Sequence, residues 1–171
     1  MRSTFKKTQL SNGLTLLGES NPSNVSAAIG FFVKTGARDE TPAESGLSHF
    51  LEHMMFKGTP TRSALQINLD LGNLGAQANA FTSEENTVYY AAVIPERFAE
   101  MQDLLTDMLR PSLDRGEFDM EKKVILEEIA LYQDRPHFYL FENAFKDYFG
   151  DHPAGNSVLG SHASVLSLIH I

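Results

Sequence analysis

The sequence predicts an α+β domain: a mixed, mainly antiparallel sheet with helices packed on one face. Three observations point there. An Asn-Gly turn near the start joins two extended runs. Further extended runs occupy residues 25–35 and 76–94, and helical patterns with their own start and stop signals follow both. A chain of 171 residues is long enough to bury one real core.

The elements follow in order. Residues 6–18 read as a hairpin, with KKTQL and LTLL on either side of Ser11-Asn12-Gly13. The segment VSAAIGFFVKT (25–35) is apolar, carries paired aromatics and reads as a buried strand. Residues 46–57 form the first helix. Ser63 opens a second, with Gln66 completing a capping box and Gly72 and Gly75 ending it. Two runs, AQANAFTS and TVYYAAVI, extend around a turn near Glu84-Glu85-Asn86. Pro95 opens a third helix that stops at Arg110-Pro111. Asp114 with Glu117 starts another that runs to about Tyr132, and a last helix covers roughly 136–149. On that last helix Tyr139, Phe141, Phe145, Tyr148 and Phe149 read as core packing.

Composition narrows the function. Hydrophobic residues make up 42% and charged residues 21%, a globular balance. The net charge of -8 repels phosphate backbones and anionic lipid, so neither nucleic acid nor a membrane surface is expected as a partner. There is no cysteine, so any metal must be held by histidine and carboxylate. No apolar run approaches the ~18 residues of a membrane helix, and the N-terminus lacks a secretory apolar core. A cytoplasmic protein is expected.

The stretch HFLEH (49–53) carries the chemistry. On a helix, His49 and His53 lie about 40° apart and share a face, with Glu52 about 60° from His49. Their neighbours Leu47, Phe50, Leu51, Met54 and Met55 are apolar almost all round, so the helix should be buried. Buried imidazoles and carboxylates are costly unless paired or bound to a metal. Two readings follow: a zinc site of the inverted order H-x-x-E-H, or a chance match.

Catalytic zinc usually takes three protein ligands. The helix from Glu117 supplies a candidate. With Glu121 at zero on its wheel, Phe118, Val124, Ile125, Ile129, Leu131 and Tyr132 fall within about 80°, and Glu128 lies about 20° away. Glu127 points outward with Lys122 and Lys123. Two carboxylates on an apolar arc repel each other unless a metal and its histidines lie between them. Glu128 could then be a ligand, and Glu121 could accept the N–H of a ligating histidine. The alternative is a pair of carboxylates reaching water at the domain edge.

Three stretches, GLSHFLEHMMFKGT (46–59), GAQANAFTSEENTVYY (75–90) and EKKVILEEIALYQD (121–134), together resemble the pitrilysin and insulinase family of zinc metallopeptidases. The resemblance is to the branch of mitochondrial processing peptidase beta subunits and their bacterial relatives, and runs from the opening hairpin to about Val165. It implies that His49, His53 and Glu128 hold one Zn2+. Glu52 and Glu121 are implied as the catalytic carboxylates: Glu52 is the general base acting on zinc-bound water, and Glu121 supports a ligating histidine. Asn79, Ala80, Phe81 and Thr82 match the family's edge strand beside the metal, where a substrate binds in extended form, with Asn79, Ala80 and Phe81 implied as its binding residues. The implied fold is a metallopeptidase half-domain, and the implied activity is zinc-dependent endopeptidase cleavage of extended peptides or unfolded polypeptides. The alternative is a non-catalytic, substrate-holding homologue of a processing peptidase subunit. The resemblance also implies a second homologous domain or subunit. Residues 1–165 are expected to be an N-terminal zinc-binding domain, incomplete at its C-terminus, and LSLIHI (166–171) a non-native tail. His152, in GDHPAG, reads as a loop residue, and His137 and His162 show no partner pattern.

Overall fold

Two antiparallel sheets and six α-helices make up the computed structural model, which describes residues 3–168. β1 (Thr4–Gln9) and β2 (Thr15–Ser20) form the expected hairpin as a two-stranded sheet of their own. The second sheet has the order β3-β5-β4, from β3 (Ala27–Val33), β5 (Thr87–Val93) and β4 (Gln77–Thr82). Both edges of that sheet, β3 and β4, are free among the described residues.

Alternation along the strands sorts the two faces of this sheet. Ile29 pairs with Ala91 and Phe31 with Tyr89, while Ala78 and Ala80 meet the same two β5 residues from the other side. That face is covered by α2 (Ala64–Asn73) and α3 (Phe98–Met108), whose Ile67, Met101, Leu104, Leu105 and Met108 form one core with Ala91 and Val93. The opposite face carries Phe32, Phe81 and Tyr90, all exposed. The expectation of a buried strand at 25–35 is therefore corrected. β3 is an edge strand with one covered face, and Phe32 is 73% exposed. A continuous apolar run cannot report which of its faces finds a partner.

A second core lies among helices. α1 (Leu47–Met54) contributes Phe50 and Met54, and α4 (Arg115–Gln133) contributes Phe118, Ile125 and Ile129. α6 (His162–Ser167) brings Val165, and Leu168 follows it into the same cluster. α6 was not anticipated from the sequence. Leu166 and Ser167 of the expected tail belong to it, whereas residues 169–171 lie outside the described residues.

Helix starts largely follow their caps. Ser63 accepts from Gln66 N, and Asp114 accepts from Gly116 N and Glu117 N. The reciprocal half of the Ser63 capping box is absent, because the Gln66 side chain donates to Asp70 instead. On α4 the buried arc is rotated from the one the wheel suggested: Val124 and Leu131 are exposed, and Leu126 on the other side packs inward. α5 (Pro136–Phe149) departs most from expectation. Tyr139, Phe141, Phe145 and Tyr148 are not core residues but exposed ones. The helix packs on its neighbours with little of its apolar surface, and Phe138, Phe141 and Phe145 wall a cleft instead.

Candidate metal centre

α1 starts on Gly46, whose φ of 90° is left-handed and favours glycine. A Cβ there would sit 2.7 Å from Leu159 O, so the close approach also demands glycine. Glu40, itself buried, reaches forward to accept from Gly46 N at 2.7 Å and Ser48 N at 2.6 Å. A distant carboxylate thus caps a helix that lacks a local cap, at the end where negative charge is favoured. This fixes the helix that presents His49, Glu52 and His53.

The two imidazoles meet through Nε2 at 3.2 Å. Glu128 Oε2, on α4, lies 3.7 Å from His49 Nε2 and 3.6 Å from His53 Nε2. Ligand-capable atoms of these three residues all fall within 4.8 Å of one another. On the far side of the ring, His53 Nδ1 donates to Glu121 Oε1 at 2.8 Å, which leaves Nε2 with its lone pair facing the cluster. Glu121 is 3% exposed, and its other oxygen accepts from Lys57 Nζ at 2.6 Å. Glu127 is exposed, as expected.

The electrostatics follow this geometry. Burial pushes the His49 imidazolium down to about 4, helped by the neighbouring His53. Burial pulls His53 down as well, but the bonded Glu121 carboxylate and the charges of Glu128 and Glu52 outweigh it, and the net shift is upward. Burial would raise Glu121, yet its bonds from His53 and Lys57 hold it below the ordinary carboxylate value. Glu52 is raised by burial, against the opposing hydrogen bond from Thr82.

Do these residues fit a metal ion? A four-coordinate zinc with bonds of about 2.0–2.1 Å sets its ligand atoms roughly 3.3 Å apart. The three separations here approach that value. Two neutral imidazole nitrogens and one carboxylate are also a known donor set for catalytic zinc. The residues fit.

Two neighbours, Lys57 and Glu40, were not singled out from the sequence, and Thr82 was placed on the edge strand beside the metal without its bond to Glu52. Thr82 donates to Glu52 Oε2 at 2.6 Å. Its signal was a polar residue at an inward position of an alternating strand. Lys57 had a weaker one: a buried Glu121 needs a cation. Glu40 had no local signal at all. Of the expected substrate-binding residues, Ala80 and Phe81 line the cleft beside the cluster, a cavity of about 510 Å³. Asn79 does not; its side chain accepts from Ala80 N at 2.9 Å. His152 is a loop residue whose Nδ1 accepts from Ala154 N.

The family model for insulinase (peptidase family M16) matches residues 15–162. The chain belongs to the insulinase family. Among curated relatives of this insulinase-family chain, an uncharacterized zinc protease of Bacillus subtilis, YmxG, is 42% identical over 164 residues, which is 95% of this chain and 40% of that one. The mitochondrial-processing peptidase subunit beta of Blastocladiella emersonii is 37% identical over 162 residues, covering 94% of this chain and 35% of its own length. The chain thus spans about 40% of the length of the curated relatives it matches. Among solved structures, a protease from Helicobacter pylori superposes with a TM-score of 0.89 at 24% identity, over 95% of this chain and 40% of that one. A peptidase M16 inactive domain from Pseudomonas fluorescens gives 0.87 at 14% identity, with the same coverage. Both likenesses show the α+β fold. Among the described residues, no helix is long and apolar enough to cross a membrane.

Proposed function

We propose that this chain is the zinc-binding domain of a metalloendopeptidase that cleaves extended peptides or unfolded polypeptides. His49, His53 and Glu128 would hold the ion, and Glu52 would act as the general base. The observation that carries the reading is the convergence of two imidazole nitrogens and the Glu128 carboxylate, with Glu52 alongside.

A bound zinc supplies Lewis acidity, lowering the pKa of water and polarising a carbonyl. The chain's own residues do the rest. Thr82 pins Glu52 Oε2, leaving Oε1 to take a proton from the attacking water and pass it to the leaving amine. The upward shift of Glu52 favours its taking up a proton. The free edge of β4 can pair with an extended peptide backbone through Ala80 and Phe81, beside the cluster. Asn79, one residue away on the same edge, would help to hold that backbone. Residues 1–165 would form the N-terminal domain, and a second homologous domain or subunit would close over the substrate.

The test is zinc content by elemental analysis after gel filtration in metal-free buffer. About one zinc per chain is expected, lost in Glu128→Gln. A folded chain without zinc would overturn the reading.

A further inference from the structure

Resting on that zinc reading, we propose that Lys57 is a positioning residue for the metal centre, acting through Glu121 on His53. Lys57 lies just past α1, where its N–H still bonds Met54 O at 3.1 Å. From there Nζ reaches Glu121 Oε2 at 2.6 Å, while Glu121 Oε1 takes the Nδ1 proton of His53 at 2.8 Å. Lys57 and His53 are four apart, so lysine, carboxylate and imidazole close a loop between the end of α1 and the middle of α4.

Two arguments make this more than a surface ion pair. The first is geometric. A carboxylate held at one oxygen can pivot about its last bond and carry the imidazole with it. Held at both, it fixes the plane of the His53 ring and the direction of Nε2. The Glu121 side chain is 4% exposed, so water is poorly placed to replace the lysine. The second is charge. Glu52, Glu121 and Glu128 bring three negative charges to one sheltered cluster. A divalent ion offsets two, and Lys57 offsets the third. Among the described residues, no other Lys or Arg forms an ion pair with these carboxylates. Lys57 stands on the outer side of Glu121, with its side chain 30% exposed, and leaves the ligand face clear.

A purely structural ion pair would stabilise the fold without changing how the folded chain holds zinc. The two roles separate in a competition titration of the whole chain against a chromogenic zinc chelator at neutral pH. Lys57→Met should weaken zinc about 10–100-fold, the range for partners that orient a metal ligand. Lys57→Arg should recover most of the loss. In a Glu121→Gln background, Lys57→Met should change affinity little further, because its route to His53 is already cut. The visible absorption of the cobalt(II)-loaded protein should change in Lys57→Met and return in Lys57→Arg. Should Lys57→Met fail to fold, Lys57→Leu, which likewise removes both donor and charge, carries the same expectation. Wild-type affinity in these folded variants would overturn the inference alone. So would a loss of equal size with and without Glu121. Failure of the wild-type chain to bind zinc would instead remove the metal reading and this inference together.

Discussion

His49 and His53 share one face of α1, yet their acid–base behaviour diverges because their outer nitrogens differ. His53 Nδ1 has Glu121, whereas His49 Nδ1 is buried and finds no partner among the described residues. The folded His49 pKa, near 4, lies below its ordinary 6.5. Between those values the unfolded chain binds the extra proton, so His49 contributes stability above pH 6.5 that is lost as pH falls towards 4. The contribution is at most about 3 kcal/mol. His53, shifted upward, contributes in the opposite sense: its stabilisation is present at low pH and lost as pH rises through its folded value. The two are separated by comparison. Urea midpoints of the metal-free chain from pH 7 to 4.5 should fall more steeply for wild type than for His49→Gln, and equal slopes would show that His49 is not buried neutral. Glu52 is tested by its own substitution. Glu52→Gln should keep zinc and lower kcat by about 10²–10⁴, the usual weight of a general base. Full turnover in a zinc-loaded Glu52→Gln protein would exclude that role.

At the scale of elements, the site depends on where α1 begins. Its start is built by a loop residue and a glycine rather than a local cap. Glu40→Gln removes charge from two backbone hydrogen bonds and should cost about 1–2 kcal/mol. Gly46→Ala adds a Cβ at left-handed φ against Leu159 O and should cost about 1–3 kcal/mol. Both are read from urea midpoints of the metal-free chain, and a midpoint unchanged in either would mean that α1 is anchored elsewhere. A second brace ties α2 and α3 to the turn after α1. Arg62 bonds Asp70, Asp103 and Asp107 together, and Thr59 and Thr61 also donate to Asp107. These hydroxyl and guanidinium bonds outweigh burial and hold the Asp107 carboxyl below its ordinary value.

For the whole molecule, the candidate metal-binding cluster of His49, His53 and Glu128 lies between two separately built parts. His49 and His53 belong to α1, and Glu128 belongs to α4, with their common core on one side and β4 on the other. An ion bound only by the folded chain stabilises it by mass action, about 2.7 kcal/mol at a free concentration a hundredfold above Kd. Chelation should therefore lower the Tm of the wild-type chain and leave that of Glu128→Gln unmoved. An equal drop in both would place the stabilising ion elsewhere. The molecule also exposes large apolar side chains, including Phe5 and Leu17 on the hairpin, Phe32 on β3 and Tyr148 on α5.

Local chemistry made most of the architecture readable. The Asn12-Gly13 turn, the caps at Ser63 and Asp114, and the prolines at 95 and 136 act on neighbouring backbone, so their effect is written where they stand. Helical periodicity likewise placed His49 with His53, and Glu121 with Glu128, because a wheel depends only on residue spacing. What the tertiary structure decided is which faces find partners. It left Phe32 and, on α5, Tyr139, Phe141, Phe145 and Tyr148 exposed, and shifted the buried arc of α4. It also supplied Glu40 to α1, Lys57 to Glu121 and Thr82 to Glu52. The first and last of these pairs join different elements, and Lys57 meets Glu121 across 63 intervening positions that only folding removes. Burial and pairing are properties of two surfaces brought together, and a single stretch of sequence holds only one of them.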